Sequence, residues 1–136
     1  MTDSSTRAAV LAAALLGLFG CADGGPHPQD ITGSVTLDKE PVERGIIRFE
    51  PKGGTTPTAE ALIEAGRYAM PVMPGTYKVE IRAPRTTKRK RDIAGPGQEA
   101  DVTVESIPAR YNNETTLEVI ITKDNKVYDF PLTTKP

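Results

Sequence analysis

In short segments between Ile31 and Leu132, apolar side chains recur at every second position, the spacing of β-strands that bury one face. The clearest example is 75–82, where Tyr77, Val79 and Ile81 alternate with charged residues. We find no helical period beside this alternation, so the sequence predicts an all-β fold: one antiparallel, seven-stranded β-sandwich. The predicted strands cover 31–37, 45–50, 58–63, 67–70, 75–82, 116–122 and 127–132.

Turn-forming residues separate these strands. Glu64-Ala65-Gly66 predicts a tight hairpin, because Gly66 can take the left-handed backbone conformation that such turns require. Lys123-Asp124-Asn125-Lys126 predicts a closing hairpin between the last two strands. Residues 84–101 combine many charges with prolines and glycines, so we expect a long exposed loop there.

The N-terminal segment has the form of a secretory signal peptide. Ala8 to Phe19 gives twelve small or apolar residues after Arg7, and Leu18-Phe19-Gly20-Cys21 matches a lipobox. This run is short of the roughly 20 residues that cross a bilayer. We therefore expect residues 1–20 to be a lipoprotein signal peptide and Cys21 to carry the lipid. Ordinary secretion with a free Cys21 thiol is the alternative.

Residues 21–29 are expected to form the lipidated cysteine and a flexible tether. Ala22 to Gln29 contains two glycines, two prolines and no large apolar side chain, and its extended reach is at most about 28 Å. The domain, 30–136, should therefore lie close to a membrane of the cell envelope, on the periplasmic or surface side.

Residue types in the chain argue against catalysis. His27, the single histidine, lies in the tether, and Cys21 is the single cysteine. Zinc chemistry and a Ser-His-Asp triad both need a histidine in the folded domain, so we expect no enzyme, no metal and no cofactor. Paired carboxylates remain as an alternative, although carboxylates that alternate outward on strands are usually a solvated face. The candidates are Glu43, Glu50, Glu60, Glu64, Asp101 and Glu105.

Lys88, Arg89, Lys90 and Arg91 form the strongest local charge feature. Four consecutive cations predict contact with an anionic ligand such as a polysaccharide or a lipid head group, and a solvated loop is the alternative. Nucleic acid is not expected as a partner, because aromatic residues that stack on bases do not accompany the cations and the net charge is −1.

Several segments in order resemble the carboxypeptidase-regulatory-like domain. They are Gly33-Ser34-Val35-Thr36-Leu37-Asp38, Pro41-Val42, Gly45-Ile46-Ile47-Arg48-Phe49 and Pro74-Gly75-Thr76-Tyr77-Lys78-Val79. Together with the lipobox and with Ile107 to Asn112, they are similar to small surface lipoproteins of planctomycetes. The resemblance implies a transthyretin-like, or prealbumin-like, sandwich that is usually non-catalytic. Lys39-Glu40 stands where that family usually has glycine, so we expect a longer loop at the first turn.

Two functions are compatible with these features. The first is a lipid-anchored envelope module for surface binding, adhesion or structure, with an envelope protein or a polysaccharide as partner. The second is an accessory subunit that docks one protein of an envelope or secretion complex. A contiguous apolar patch or an unprotected sheet edge would favour docking, whereas a charged face would favour a polar ligand.

Overall fold

The computed structural model describes residues 24–90 and 99–136, so Cys21 and the segment 1–20 lie outside the described residues. The chain is nearly all β, as predicted. The strands are β1 (Gln29–Leu37), β2 (Glu40–Pro41), β3 (Arg44–Pro51), β4 (Ala59–Glu64), β5 (Arg67–Val72), β6 (Gly75–Arg82), β7 (Pro84–Lys90), β8 (Glu99–Glu105), β9 (Glu118–Ile121) and β10 (Phe130–Leu132). A short 3₁₀ helix, Ala109–Tyr111, precedes β9.

Eight strands form one sheet. Its order is β10-β1-β5-β4-β3-β6-β9, and β2 pairs with β1 beside this path. The pairings are antiparallel except that of β1 with β10, which is parallel. Strands β7 and β8 form a separate antiparallel pair. The sequence thus predicted the fold class and most of the strand directions.

The large sheet curls until its two ends share one core. Phe49 of β3 lies 6.0 Å, centroid to centroid, from Phe130 of β10 and 6.3 Å from Tyr68 of β5. Along the sheet, β3 and β10 are four strand spacings apart, about 19 Å if the sheet were flat. The contact between their rings therefore requires that the two halves of the sheet face each other.

The alternation within β6 is as predicted. Tyr77, Val79 and Ile81 are at most 1% exposed and belong to the core. Tyr77 pairs with Val119 of β9 in antiparallel register, so these two apolar rows are neighbours in one sheet. Ile121 completes the predicted inner row of β9 and is also buried.

Two turns use positive backbone φ angles. Ala65 and Gly66 have φ of 49° and 73° and join β4 to β5 as the predicted tight hairpin. Asp38 and Lys39 have φ of 52° and 73°, which makes the first turn a two-residue hairpin, and the expected longer loop is wrong. The Asp38 carboxylate accepts hydrogen bonds from the backbone N–H and the hydroxyl of Thr134, which secures this turn without glycine.

The expectation of a long loop over residues 84–101 is wrong at 84–90 and 99–101, because β7 and β8 pair along seven residues each, and residues 91–98 lie outside the described residues. Lys88 lies opposite Asp101, and the backbone positions of Lys90 and Glu99 are also opposite. Cross-strand pairs of opposite charge stabilise two paired strands, and Thr86 pairs with Thr103 nearer the base of this pair. The density of charge that suggested a loop is thus part of a two-stranded pattern.

The closing hairpin expected at Lys123 to Lys126 is also wrong. The chain crosses to β1 instead, where the Thr32 N–H donates to the Lys126 carbonyl at 2.8 Å and the Tyr128 N–H donates to the Thr32 carbonyl at 2.9 Å. β10 then runs parallel to β1. Tyr128 and Phe130, the alternating aromatic residues of the predicted strand 127–132, are buried nevertheless, because alternation determines which face of a strand is buried and not which strand it pairs with.

Residues 107–112, which were part of the family resemblance, form a structural turn. Ile107 is buried, and the buried Asn112 side chain donates to the Ile107 carbonyl at 3.0 Å. The neighbouring Thr115 hydroxyl donates to the Val79 carbonyl at 2.6 Å. These hydrogen bonds attach the segment before β9 to β6.

Candidate functional site

The structure describes part of the predicted cationic cluster. Lys88 is exposed on β7, and the backbones of Arg89 and Lys90 continue that strand, whereas Arg91 lies outside the described residues. Asp101 lies across from Lys88. An opposite charge therefore lies beside the cation whose side chain the structure describes.

β7 and β8 together form an arm, 84–105. The two strands of the arm contact chiefly each other, and the side chains of residues 84–88 are all exposed. At its base, the Glu105 carboxylate accepts the backbone N–H groups of Ala83 and Ile107 at 2.8 and 3.0 Å. The arm begins after Arg82, at the C-terminal end of β6. Gln29 pairs with Val72 at the other end of the sheet. The tether and the arm are therefore at opposite ends of the domain.

A large concave surface lies along β4 and β5, beside β1. These strands pair at Glu64 and Arg67, next to their turn, and then diverge. β4 stays with β3 and β5 stays with β1, and a groove of about 1010 Å³ opens between them. This β4–β5 groove forms where the curled sheet passes from one half of the core to the other.

Small and apolar residues line the β4–β5 groove. Ala69 and Pro71 of β5 contribute to its floor. Leu62 of β4 and Val127 near β10 also line it, and they are 66% and 55% exposed. These two exposed aliphatic side chains line the same groove and therefore form an apolar patch. Apolar patches commonly mark interaction sites.

Carboxylates stand among these apolar residues. Glu60, Glu64 and Asp129 line the groove together with a single cation, Arg67. Asp129 is held in place, because the backbone N–H and the hydroxyl of Ser34 both donate to its Oδ1 at 2.8 Å. Within the described part of the chain, the ion pairs found do not involve Glu60 or Glu64. The groove therefore combines an apolar lining with an excess of negative charge.

Tyr68 lies at the bottom of the groove, where its hydroxyl donates to the Tyr128 carbonyl at 2.7 Å. Burial, reinforced by the nearby negative charge of Asp129, raises the pKa of Tyr68 far above its usual value. The phenol is consequently a fixed, neutral hydrogen-bond donor. Its contact holds the strand segment at Tyr128 against β5.

Among residues 24–90 and 99–136, we find no cluster of three or more histidine, cysteine, aspartate or glutamate side chains that could bind a metal ion. The same residues include no helix long and apolar enough to span a membrane.

The sequence analysis did not identify the β4–β5 groove. Glu60 and Glu64 entered it only as members of a set of carboxylates. The sequence does contain one indication of the groove, because the apolar Leu62 lies at an outward position of its alternating strand. The divergence of β4 from β5 is a property of the curled sheet, and the tight turn at Ala65-Gly66 gives no sign of it.

No family model matches the chain, and no curated protein matches it. Among solved structures, the chain is similar to a 9R-lipoxygenase from Cyanothece PCC8801 with 14% sequence identity and a TM-score of 0.36. The match covers 96% of this chain, and the chain spans 18% of the length of that protein.

Proposed function

We propose that the chain is a lipid-anchored, non-catalytic module of the cell envelope that docks a protein partner in the β4–β5 groove. The observation that carries this proposal is the apolar lining of that groove, where the side chains of Leu62 and Val127 are largely exposed. A contiguous apolar patch was one of the features expected of a docking module.

In this proposal the curled sheet is a β-sandwich of the transthyretin-like type. The contact of Phe49 with both Tyr68 and Phe130 supports two facing layers. If β2 and the arm are counted as additions, the remaining path has the seven strands that the carboxypeptidase-regulatory-like resemblance implies.

Anchoring by Cys21 completes the proposal. Lipid attachment would hold the domain by the end where β1 begins, and the β4–β5 groove extends from that end toward the turn at Ala65-Gly66. Detergent phase partitioning of wild type and Cys21→Ser tests the anchor. We expect wild type in the detergent phase and the variant in the aqueous phase, and equal partitioning would contradict anchoring.

A polar-ligand function for the arm is the weaker candidate. Lys88 is exposed, but it lies opposite Asp101. An anionic polysaccharide would meet paired charges there. The β4–β5 groove offers an apolar surface, which suits a protein partner better.

Two matched substitutions test docking. Leu62→Asp places a charge in the groove, and Ile120→Asp places the same charge on a residue of equal exposure, 64% against 66%, outside it. The full chain, captured from envelope membranes after mild cross-linking, should retain a specific partner as wild type and as Ile120→Asp. It should lose that partner as Leu62→Asp. Capture that is equal in all three would refute docking in the groove.

A further inference from the structure

We propose that β9 is an interface between two copies of the chain, in which the open edges of two β9 strands pair antiparallel about a twofold axis at Ile120. This surface is separate from the β4–β5 groove, so the inference goes beyond the proposed docking function and does not depend on it. It follows from the free backbone groups of β9, from the blocked edge of β10, and from the side chains that two β9 strands place opposite each other.

β9 is the last strand at one end of the large sheet, and within the described chain it pairs only with β6. The Val79 N–H of β6 donates to the Leu117 carbonyl at 2.8 Å, so the backbone groups of Leu117 point toward β6. In an antiparallel pair this direction alternates from residue to residue, so the backbone groups of Glu118 and Ile120 point away from β6. These two residues form the open edge of β9.

β10 does not supply a partner for this edge, although both strands border one opening of about 510 Å³. The Asp38 N–H donates to the Leu132 carbonyl at 2.9 Å, so Leu132 directs its backbone toward β1. By alternation Pro131 faces the other way, and proline has no N–H to donate. At the end of β9, the Thr122 N–H donates to the Tyr128 hydroxyl at 3.1 Å, which leaves the backbone groups before it for a partner strand.

The side chains of β9 indicate which residues a partner strand should carry. Ile120 is 64% exposed. Glu118 already has cations of its own chain beside it, because Lys52 Nζ contacts its Oε1 at 2.5 Å and Lys78 lies opposite it on β6. Glu118 therefore does not require a cation from a partner. The edge fits a strand with an apolar residue beside Ile120 and a neutral residue beside Glu118.

A second copy of β9 supplies these residues. With the twofold axis at Ile120, antiparallel pairing places Ile120 opposite Ile120 and Glu118 opposite Thr122, the residue that follows β9. The inward row matches as well, because Val119 then lies opposite Ile121. Apolar residues therefore face apolar residues, and the backbones at Ile120 can exchange both of their hydrogen bonds.

Neighbouring registers fit less well. With the axis at Val119, the Glu118 carboxylate of each copy lies opposite the apolar Ile120 of the other. With the axis at Glu118, the two carboxylates lie directly opposite each other, and like charges in that position destabilise a strand pair. The axis at Ile120 avoids both conflicts.

Opposite charges at position 120 test this interface. Sedimentation equilibrium of the full chain in density-matched detergent is the measurement, with micelles in excess so that sharing of a micelle does not mimic association. Since β9 has four residues, we expect a weak wild-type dimer, with a dissociation constant on the order of 10–100 µM. Ile120→Lys and Ile120→Asp should each weaken it at least about tenfold, because residue 120 faces its own copy and like charges repel.

An equimolar mixture of Ile120→Lys and Ile120→Asp should dimerise again, since lysine then faces aspartate across the axis. Recovery in the mixture also demonstrates that both variants are folded. Leu62→Asp is the matched control, because it places the same charge on a side chain of similar exposure in the β4–β5 groove. It should dimerise like wild type.

Disulfide formation tests the register. In a full chain that carries Cys21→Ser, Ile120→Cys should form a disulfide-linked dimer on mild oxidation. The Cα atoms of a hydrogen-bonded antiparallel pair are about 5.5 Å apart, within the range of a disulfide. Glu118→Cys in the same background should not, because it faces Thr122.

Four results would overturn the inference. They are a wild type that is monomeric up to about 1 mM, a dimer that Ile120→Lys and Ile120→Asp do not weaken, a mixture no more dimeric than its components, and a disulfide at Glu118→Cys instead of Ile120→Cys. A dimer that Leu62→Asp abolishes and Ile120→Asp preserves would place the interface in the β4–β5 groove and also overturn the assignment to β9.

Discussion

Gly33 gives the sharpest test of how the last strand segment packs. A Cβ atom added at Gly33 would lie 1.8 Å from the carbonyl oxygen of Tyr128 and 2.7 Å from the ring of Tyr68. Real Cβ contacts are essentially never shorter than 3.0 Å, so Gly33→Ala must move the Tyr128 carbonyl by about 1.2 Å or more. The φ angle of Gly33 is not in the left-handed region, so the glycine serves close approach and not a special backbone conformation.

The cost of Gly33→Ala follows from the hydrogen bonds at that contact. The Tyr128 carbonyl accepts from the Tyr68 hydroxyl, and backbone bonds join Thr32 to Lys126 and to Tyr128. Loss of these three bonds, at about 0.5–1.5 kcal/mol each, lowers the free energy of unfolding by about 2–4 kcal/mol. The whole free energy of unfolding of a small domain is about 5–15 kcal/mol, so the variant should be close to the limit of stability.

Urea unfolding of the chain from residue 22 onward, followed by circular dichroism, measures this cost. Gly25→Ala is the matched control, since its added Cβ meets nothing within 4 Å, and it should leave the urea midpoint unchanged. Gly33→Ala should lower the midpoint by roughly 1–3 M. Equal midpoints for the two variants would refute the packing of the segment around Tyr128 against β1.

Three further outcomes are expected. Val79→Ala, at a core residue with 0% exposure, should cost about 1–3 kcal/mol in urea unfolding, whereas exposed Lys78→Ala should cost under about 0.5. Hydrogen bonds from Thr134 hold the pKa of Asp38 below 3.8, so NMR titration should show the lowered pKa in wild type and a value nearer 3.8 in Thr134→Val. Because the lowered pKa belongs to the folded state, its stabilisation is present above pH 3.8 and is lost as the pH falls through the folded-state pKa. Replacing 85–104 by a short Gly/Ser linker should leave cooperative unfolding of the remaining domain intact, since the strands of the arm contact chiefly each other.

The faces of the strands could be predicted from the sequence, but their partners could not. β6 has the predicted bounds, 75–82, because charged and apolar residues alternate there without interruption. For residues 127–132 the alternation indicated the correct buried side chains, but the expected neighbouring strand was wrong. A period of two determines which side chains are inside, whereas pairing with β1 depends on a cross-connection that local turn residues do not encode. In the same way, cross-strand charge pairs in the arm become visible only when Lys88 and Asp101 are aligned.

Proline protects one end of the large sheet and leaves the other end open. Open strand edges invite unwanted pairing, and proteins commonly block them with proline, which cannot donate to a ladder. Pro131 lies in β10, the strand at one end of the sheet, and Pro41 lies in the short β2. β9, the strand at the other end, contains no proline and carries the exposed Ile120. The protection of strand edges by proline is therefore uneven, and the alternation of apolar side chains along β9 does not show from the sequence that this strand ends the sheet.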